Sequence, residues 1–444
     1  MIRIANGQGF WGDWLEAPVR LIDQGPIDYL TLDYLAEVTM SILQKQKQVD
    51  PHLGYARDFP PLLARIARKL LDRNVKVIAN AGGVNPVACA RAVRQLAPEL
   101  KVAIVLGDDV FSRLDEFLAK GYEMRDLDTG QPLSAIRDRI LSANAYIGAF
   151  RIAEALDTGA HVVISGRATD TALALAPMIH RFGWKSEDWN LLAAGTVAGH
   201  LIECGAQSTG GNCQVDWQTI PDLAEIGYPI VEAEPDGTFF LTKHPSAGGR
   251  VSTDIVKEQL LYELGDPTRY MTPNCIADFT SIRLAEAGPD RVRVSGIQGG
   301  PPPSTVKLSI SYSRGWKSIG TLVYSHPQAR EKAEAADRIV RQRLAQLGLQ
   351  FESIYTEFLG INACHGAAAP PVACPPEVQL RIGVRGYDRR AIERFTRELI
   401  PLVLSGPPGA TGYGDGRPPV REIVAYWSAL VPREEIQPYI EVVE

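Results

Sequence analysis

Five short, largely apolar runs, at residues 2–5, 29–32, 75–79, 102–106 and 161–165, mark the first half of the chain, and each runs straight into Gly, Asp or Asn. Apolar runs of that length without polar alternation suit strands buried on both faces. Between them, residues 60–72, 86–96, 134–156 and 171–182 repeat apolar side chains at a spacing near 3.6, which predicts helices. Strand and helix in alternation predict a parallel sheet covered on both faces by right-handed crossovers. From about residue 215 the texture changes to Pro- and Gly-punctuated segments with strand candidates at 238–242, 276–284, 291–295, 305–311 and 319–324. Helices at 328–347 and 389–404 then flank strand candidates at 353–360 and 378–384, an order that fits a split ferredoxin-like layer. The expected fold class is α/β. An N-terminal open parallel, Rossmann-like sheet domain over residues 1–212 is followed by a C-terminal α+β domain with a largely antiparallel sheet over 213–444.

In such sheets ligands bind beyond the carboxyl ends of the strands. Gly7-Gln8-Gly9, Asp33, Asn80-Ala81-Gly82-Gly83, Gly107-Asp108-Asp109 and Gly166-Arg167 should therefore share one edge.

Composition narrows the partners. The 444 residues are 45% hydrophobic and 22% charged, enough for packed cores. Lys+Arg 46 against Asp+Glu 52 leaves a net charge of -6, so there is no basic field for nucleic acid or an anionic membrane surface. The six cysteines are scattered without a C-x-x-C pair, as in a reduced protein. No stretch reaches the ~18 apolar residues of a membrane span, and the first residues lack a signal-peptide pattern. A cytoplasmic location is expected.

Several motifs carry candidate chemistry. Gly7, Gly9 and Gly12 spell G-x-G-x-x-G after a strand, with Asp33 ending the next, so they are the candidate cofactor-binding loop for a dinucleotide. Against this, Phe10 and Trp11 are bulky, Pro18 interrupts the following helix, and Asp13 and Glu16 sit where an anion would; a glycine turn shaping another pocket is the alternative. Asp109 reads as a cap and Asp108 as the acid to test. Arg167, Thr169 and Asp170 lie at a strand end with a guanidinium fork and hydroxyls suited to a carboxylate or phosphate, or else cap and pair structurally. The segment from Glu203 to Asn212 combines an acid, the Cys204 thiol, the Gln207 amide and a Gly-Gly turn at the expected domain boundary, which makes Glu203 the leading general acid/base. Lys243 and His244 end a strand before another Gly-Gly bend and could meet a substrate anion. Asp33 and His244 join Glu203 as catalytic candidates; Asn80, Gln207, Asn212, Arg167, Thr169, Asp170 and Lys243 are the substrate-binding candidates. The histidines show no zinc spacing, and a metal stays undetermined. The Gly/Pro loop from Ser405 to Arg417 lacks a P-loop Lys-Ser/Thr and suits a lid or an oligomer contact, and there is no G-x-S-x-G elbow.

Taken together, Gly9-Phe10-Trp11-Gly12-Asp13, Asp33-Tyr34-Leu35-Ala36-Glu37-Val38-Thr39-Met40, Asn80-Ala81-Gly82-Gly83-Val84-Asn85-Pro86, Gly166-Arg167-Ala168-Thr169-Asp170, Glu203-Cys204-Gly205 and Gly210-Gly211-Asn212 resemble the acyclic terpene utilization, AtuA-like, family over nearly the whole chain. The resemblance implies a place in citronellol and geraniol breakdown, where neighbouring steps act on branched acyl-CoA esters. It also raises a small companion subunit as a partner, beside self-association into a homo-oligomer. The leading expectation is an enzyme of branched-chain acyl-CoA or carboxylate catabolism, a lyase or hydratase with a small-molecule substrate. The alternatives are a nicotinamide- or flavin-dependent oxidoreductase using the glycine loop, and a non-catalytic acyl-CoA-binding subunit. The cofactor is left unknown.

Overall fold

In the computed structural model, which describes residues 1–412 and 416–443, the five apolar runs become β1 (Ile2–Asn6), β2 (Tyr29–Leu32), β3 (Lys76–Ala79), β4 (Val102–Leu106) and β6 (Val162–Ser165). They pair in parallel in the order β1-β2-β3-β6-β4. Both faces are covered, and successive residues of a strand enter opposite cores. Val77 and Ile104 pack with α1 (Ala17–Gln24), α2 (Glu37–Val49), α3 (Phe59–Arg73) and α4 (Pro86–Leu96). Ile78 and Ala103 pack on the far side with α6 (Ala149–Asp157), α7 (Ala172–Phe182) and α8 (Trp189–Glu203). This two-sided burial is why the runs are apolar throughout.

The parallel core does not end where the expected first domain ends. β7 (Ile230–Ala233) adds antiparallel to β1, and β8 (Phe239–Thr242), β12 (Arg291–Ser295) and β11 (Arg283–Glu286) extend the same sheet. β18 (Tyr439–Val443) closes the other edge against β4, giving ten strands. A small sheet of β9 (Tyr270–Met271), β10 (Ile276–Asp278) and β13 (Gln298–Gly300) packs on α8. The chain accordingly divides into Met1–Ser311 with Tyr426–Glu444, and Tyr312–Ala425, and not at residue 212.

The second unit runs from within β14 (Thr305–Ser325) through α10 (Ala329–Gln346), β15 (Ser353–Leu359), β16 (Glu377–Gly386) and α11 (Arg389–Phe395) into β17 (Arg421–Pro432). Its strand order, β15-β16-β14-β17, is that of the ferredoxin-like β-α-β-β-α-β layer, with the α10 and α11 faces packed on the sheet. Residues 413–415 of the Gly/Pro loop lie outside the described residues. No helix among the described residues is long and apolar enough to cross a membrane.

Two expected elements form differently. Residues 134–156 are not one helix: short 3-10 turns lead into β5 (Ile140–Ala145) before α6, while α5 (Leu114–Ala119) and a turn follow β4. The Ile140–Ala145 stretch gains more from its long-range ladder, including the Asn144–Asp109 bridge, than from local helical spacing. Residues 276–284 split at Asp278, whose carboxylate accepts the Thr280 N–H and starts a 3-10 turn.

α8 sets the position of Glu203. Its residues from Leu192 to Ile202 are all buried, and Gly199 lets the helix lie against the backbone at Thr171, just before α7. A Cβ on Gly199 would come within 2.6 Å of the Thr171 carbonyl oxygen, and backbone cannot yield cheaply. Gly199→Ala is expected to lower stability by about 1–3 kcal/mol despite alanine's better helix propensity, measurable by chemical denaturation; an unchanged or raised stability would contradict this packing.

Candidate active site

A cleft of about 540 Å³ opens at the carboxyl ends of β1, β2 and β6, within the first unit. Six carboxyl groups line it: Asp13 beside the glycine loop, Asp33, Glu37, Asp170, Glu203 and Glu263. Gln207 and Asn212 bring amides to the same walls, and the lining holds no Lys, Arg or His.

Asp33 follows β2 and is 4% exposed. Its Oδ1 accepts from Asn80 Nδ2 at 2.7 Å and from the Leu35 N–H at 3.2 Å. Asn80 is in turn fixed by the Tyr34 N–H, which donates to its Oδ1 at 2.6 Å. Burial, then the charge of Asp170, push the Asp33 carboxyl well above its ordinary range against the opposing pull of Asn80 and Arg167. Burial therefore weighs against its ionised form in the cleft.

The neighbouring cation is behind the wall. Arg167, 1% exposed, donates to the Leu35 carbonyl, pairs with Asp170 at 3.0 Å and lies over the Tyr146 ring at 4.3 Å. Burial works against its charge, but Asp170, Tyr146, Asp33 and Glu37 outweigh it and hold the guanidinium firmly protonated. Tyr146 donates its hydroxyl to Glu37 at 2.9 Å, and Arg167 leads the charges and hydrogen bonds that keep Glu37 ionised despite burial. Asp170 is moved the other way, upward, because burial exceeds the Arg167 attraction.

Glu203 ends α8, where both burial and the negative end of the helix disfavour a second negative charge. Its carboxyl is pushed up to about 7 by burial, partly offset by His200. His200, one turn earlier, places Nδ1 3.2 Å from Glu203 Oε1, while Nε2 faces the Gln259 carbonyl at 3.0 Å. A carbonyl only accepts, so Nε2 carries the hydrogen, and Nδ1 faces the Glu203 carboxyl at ion-pair distance. Glu203 Oε2 has no hydrogen-bond partner and is the free oxygen of the pair. The Cys204 thiol, pushed up to about 12 by burial and then by Glu203, stays protonated and is no nucleophile.

The remaining candidates separate. Asp33, Asp170, Glu203, Gln207, Asn212 and Gly9 reach the cleft; Asn80 and Arg167 stand behind it as supports. Thr169 lies on an adjoining cavity, its hydroxyl donating to the Ile147 carbonyl. Lys243 does not line it: its ammonium, 3% exposed side chain included, pairs with Asp290 at 3.0 Å and donates to the Ala247 carbonyl. Nor does His244, whose Nε2 bonds the Leu21 carbonyl while its ring packs on Gly25; burial lowers its pKa, so it is a neutral structural imidazole. Both are consumed in tying β8 to α1 and to the 290 turn.

The glycine loop has its own anion. Asp13 accepts the Gly9 N–H at 2.9 Å through Oδ2 and the Trp14 N–H at 2.7 Å and the Tyr228 hydroxyl through Oδ1. Gly9 is glycine because a Cβ would strike the Cys204 backbone at 2.9 Å, and Gly7 because it abuts Pro18. The close approaches needed for pyrophosphate are thus filled by the chain itself, and Gly12 serves the turn at φ 111°. Asp108 is likewise internal, accepting from Asn144 and the Arg167 N–H, and burial pushes it up to about 6. Asp109 caps the turn at Phe111, as expected. Among the described residues no group of three His, Cys, Asp or Glu side chains is arranged to hold a metal ion.

Sequence reasoning passed over Glu37, Tyr146, His200 and Glu263. The three-residue spacing of His200 and Glu203 on one helix face was the available signal for the pair; Glu263, at φ 54° just past α9 (Thr253–Leu261), offered none.

The family model described as "Acyclic terpene utilisation family protein AtuA" matches residues 2–442. No curated protein and no solved structure matches the chain.

A carboxyl whose folded pKa is raised stabilises the fold fully below its unfolded value and loses that contribution as pH rises through the folded value. Glu203→Gln keeps a donor for His200 Nδ1 and cannot ionise. Its stability relative to wild type is expected to grow from about pH 4.5 to about pH 7 and level off above, by up to about 3 kcal/mol. Denaturation at a series of pH values reads it, and a difference independent of pH would contradict the assignment.

Proposed function

The chain belongs to the acyclic terpene utilisation family, and from that membership we propose that it is a hydratase or lyase acting on a branched, acyclic, unsaturated acyl thioester, with two of its carboxyl groups as acid and base. The observation that carries this reading is the pair Asp33 and Glu203: two carboxyls on one cleft, one pushed well above its ordinary range by burial and one pushed up to about 7 beside a histidine. General acid/base catalysis needs groups whose proton affinities bracket neutrality and differ from one another.

In the hydration direction Glu203 takes a proton from water as the water oxygen attacks the carbon β to the carbonyl. The double-bond electrons move toward the carbonyl oxygen, and Asp33 returns a proton to the α-carbon, so a C–O and a C–H bond form as the π bond is lost. The Gln207 and Asn212 amides, on the same wall, supply donors for the enolate-like oxygen. Glu203 and Asp33 line the same cleft, so water there returns the proton gained by Glu203 to Asp33 and resets the pair. A free carboxylate would meet six carboxyl groups and no lining cation, which favours the neutral thioester carbonyl over the acid.

The test uses a branched α,β-unsaturated acyl-CoA in deuterated, ¹⁸O-labelled water. The expected product carries labelled oxygen at the β-carbon and deuterium at the α-carbon, and Glu203→Gln and Asp33→Asn each lower kcat by about 10²–10⁴-fold. Variants as active as wild type would overturn the roles, and thioester binding without turnover would instead support a non-catalytic acyl-binding subunit.

A further inference from the structure

A second cavity of about 390 Å³ abuts the acidic cleft, and Glu37 and Asp170 line both. These two side chains are 42% and 36% exposed, so they stand at an opening rather than in a sealed partition. Beyond them the wall changes character: Tyr146, Tyr270, Met271, Pro273, Val306 and Leu430 supply an apolar surface. The single cation among the residues lining either cavity, Lys307, faces Glu37 at 4.0 Å and lies 5.1 Å from the centre of the Tyr146 ring, so its charge is already answered.

We infer that the two cavities form one elongated binding site, in which the second holds the uncharged alkyl tail of a molecule whose carbonyl end lies among the carboxyl groups of the first. The inference rests on the proposed acyl substrate for the identity of the head, and adds where the chain runs and what selects its length. A mostly apolar wall, whose one cation faces Glu37 and the Tyr146 ring, removes hydrocarbon from water. The turn at Glu37 and Asp170 is the point where the polar head must end and the tail begin. Met271 is 59% exposed, so part of this apolar wall meets solvent.

The experiment is calorimetric binding of saturated acyl-pantetheine thioesters, from butanoyl to decanoyl, to the full chain. Saturated thioesters cannot be hydrated, so the result is independent of turnover. The dissociation constant is expected to fall about fourfold per added methylene until the cavity is filled. Val306→Trp should flatten that series for the longer chains while leaving butanoyl binding unchanged. Because Val306 is buried and tryptophan could disturb folding, Met271→Glu serves as a second variant, with a charge at an exposed position and the same flattening expected. A constant affinity along the series, no binding of the decanoyl probe, or variants that retain the full gain would overturn the inference. Loss of the Glu203 and Asp33 roles with the chain-length series intact would overturn the chemistry alone.

Discussion

One guanidinium taken out of water holds the acidic cleft together. Arg167 is among the largest side chains wholly buried in the molecule, and an unpaired ion at such a depth would cost several kcal/mol. It is compensated from three sides: the Asp170 carboxylate, the Leu35 carbonyl from the end of β2, and the face of Tyr146. Its own backbone N–H is held by Asp108 from the end of β4. The side chain thereby links the end of β6 to the residues that follow β2, and its backbone N–H links it to those that follow β4. Its charge also offsets the mutual repulsion of Asp170, Asp33 and Glu37 in one small region.

The proton affinities follow from burial set against that charge, and Asp170, 3.0 Å from the guanidinium, is still moved upward by burial. Glu37, whose burial is outweighed by Arg167 and its hydrogen bonds, is held below its ordinary value; Asp33, deeper and facing Asp170, is pushed well above it. Glu203 answers to a different partner, His200, because α8 delivers it from the opposite side of the sheet's edge. The cleft thus contains an acid, a poised base and a fixed anion without any one of them being chemically unusual. Burial supplies the perturbation, and the sheet edge supplies the convergence.

Much of this was legible in the chain. The apolar runs that each end in Asn, Asp or Gly marked the parallel strands and the edge on which polar groups gather, and the closely buried α8 pointed to Glu203 as its last residue. Lys243 and His244 misled because a strand end rich in cations looks the same whether its partners are a ligand or the chain itself; Asp290 and the Leu21 carbonyl are 47 and 223 residues away in sequence. The domain boundary misled for a related reason. A change from helix-alternating to strand-alternating texture near 215 marks where antiparallel strands begin, yet β7 adds them to the existing sheet. Residues 134–156 read as a helix because local spacing cannot register the ladder that claims Ile140–Ala145. The Gly7 to Gly12 motif was literal, but only the fold reveals that Asp13 already occupies its N–H groups.

The central claim is that burial around Arg167 and His200 keeps carboxyl groups of this cleft protonated near neutral pH. Difference infrared titration of the carboxyl C=O band tests it most directly, with Glu203→Gln and Asp33→Asn proteins to assign the signal. The account predicts a protonated-carboxyl band that titrates near pH 7 and disappears in Glu203→Gln, and a second that titrates well above the ordinary carboxylate range and disappears in Asp33→Asn. Complete ionisation of every carboxyl group in the ordinary carboxylate range would contradict it.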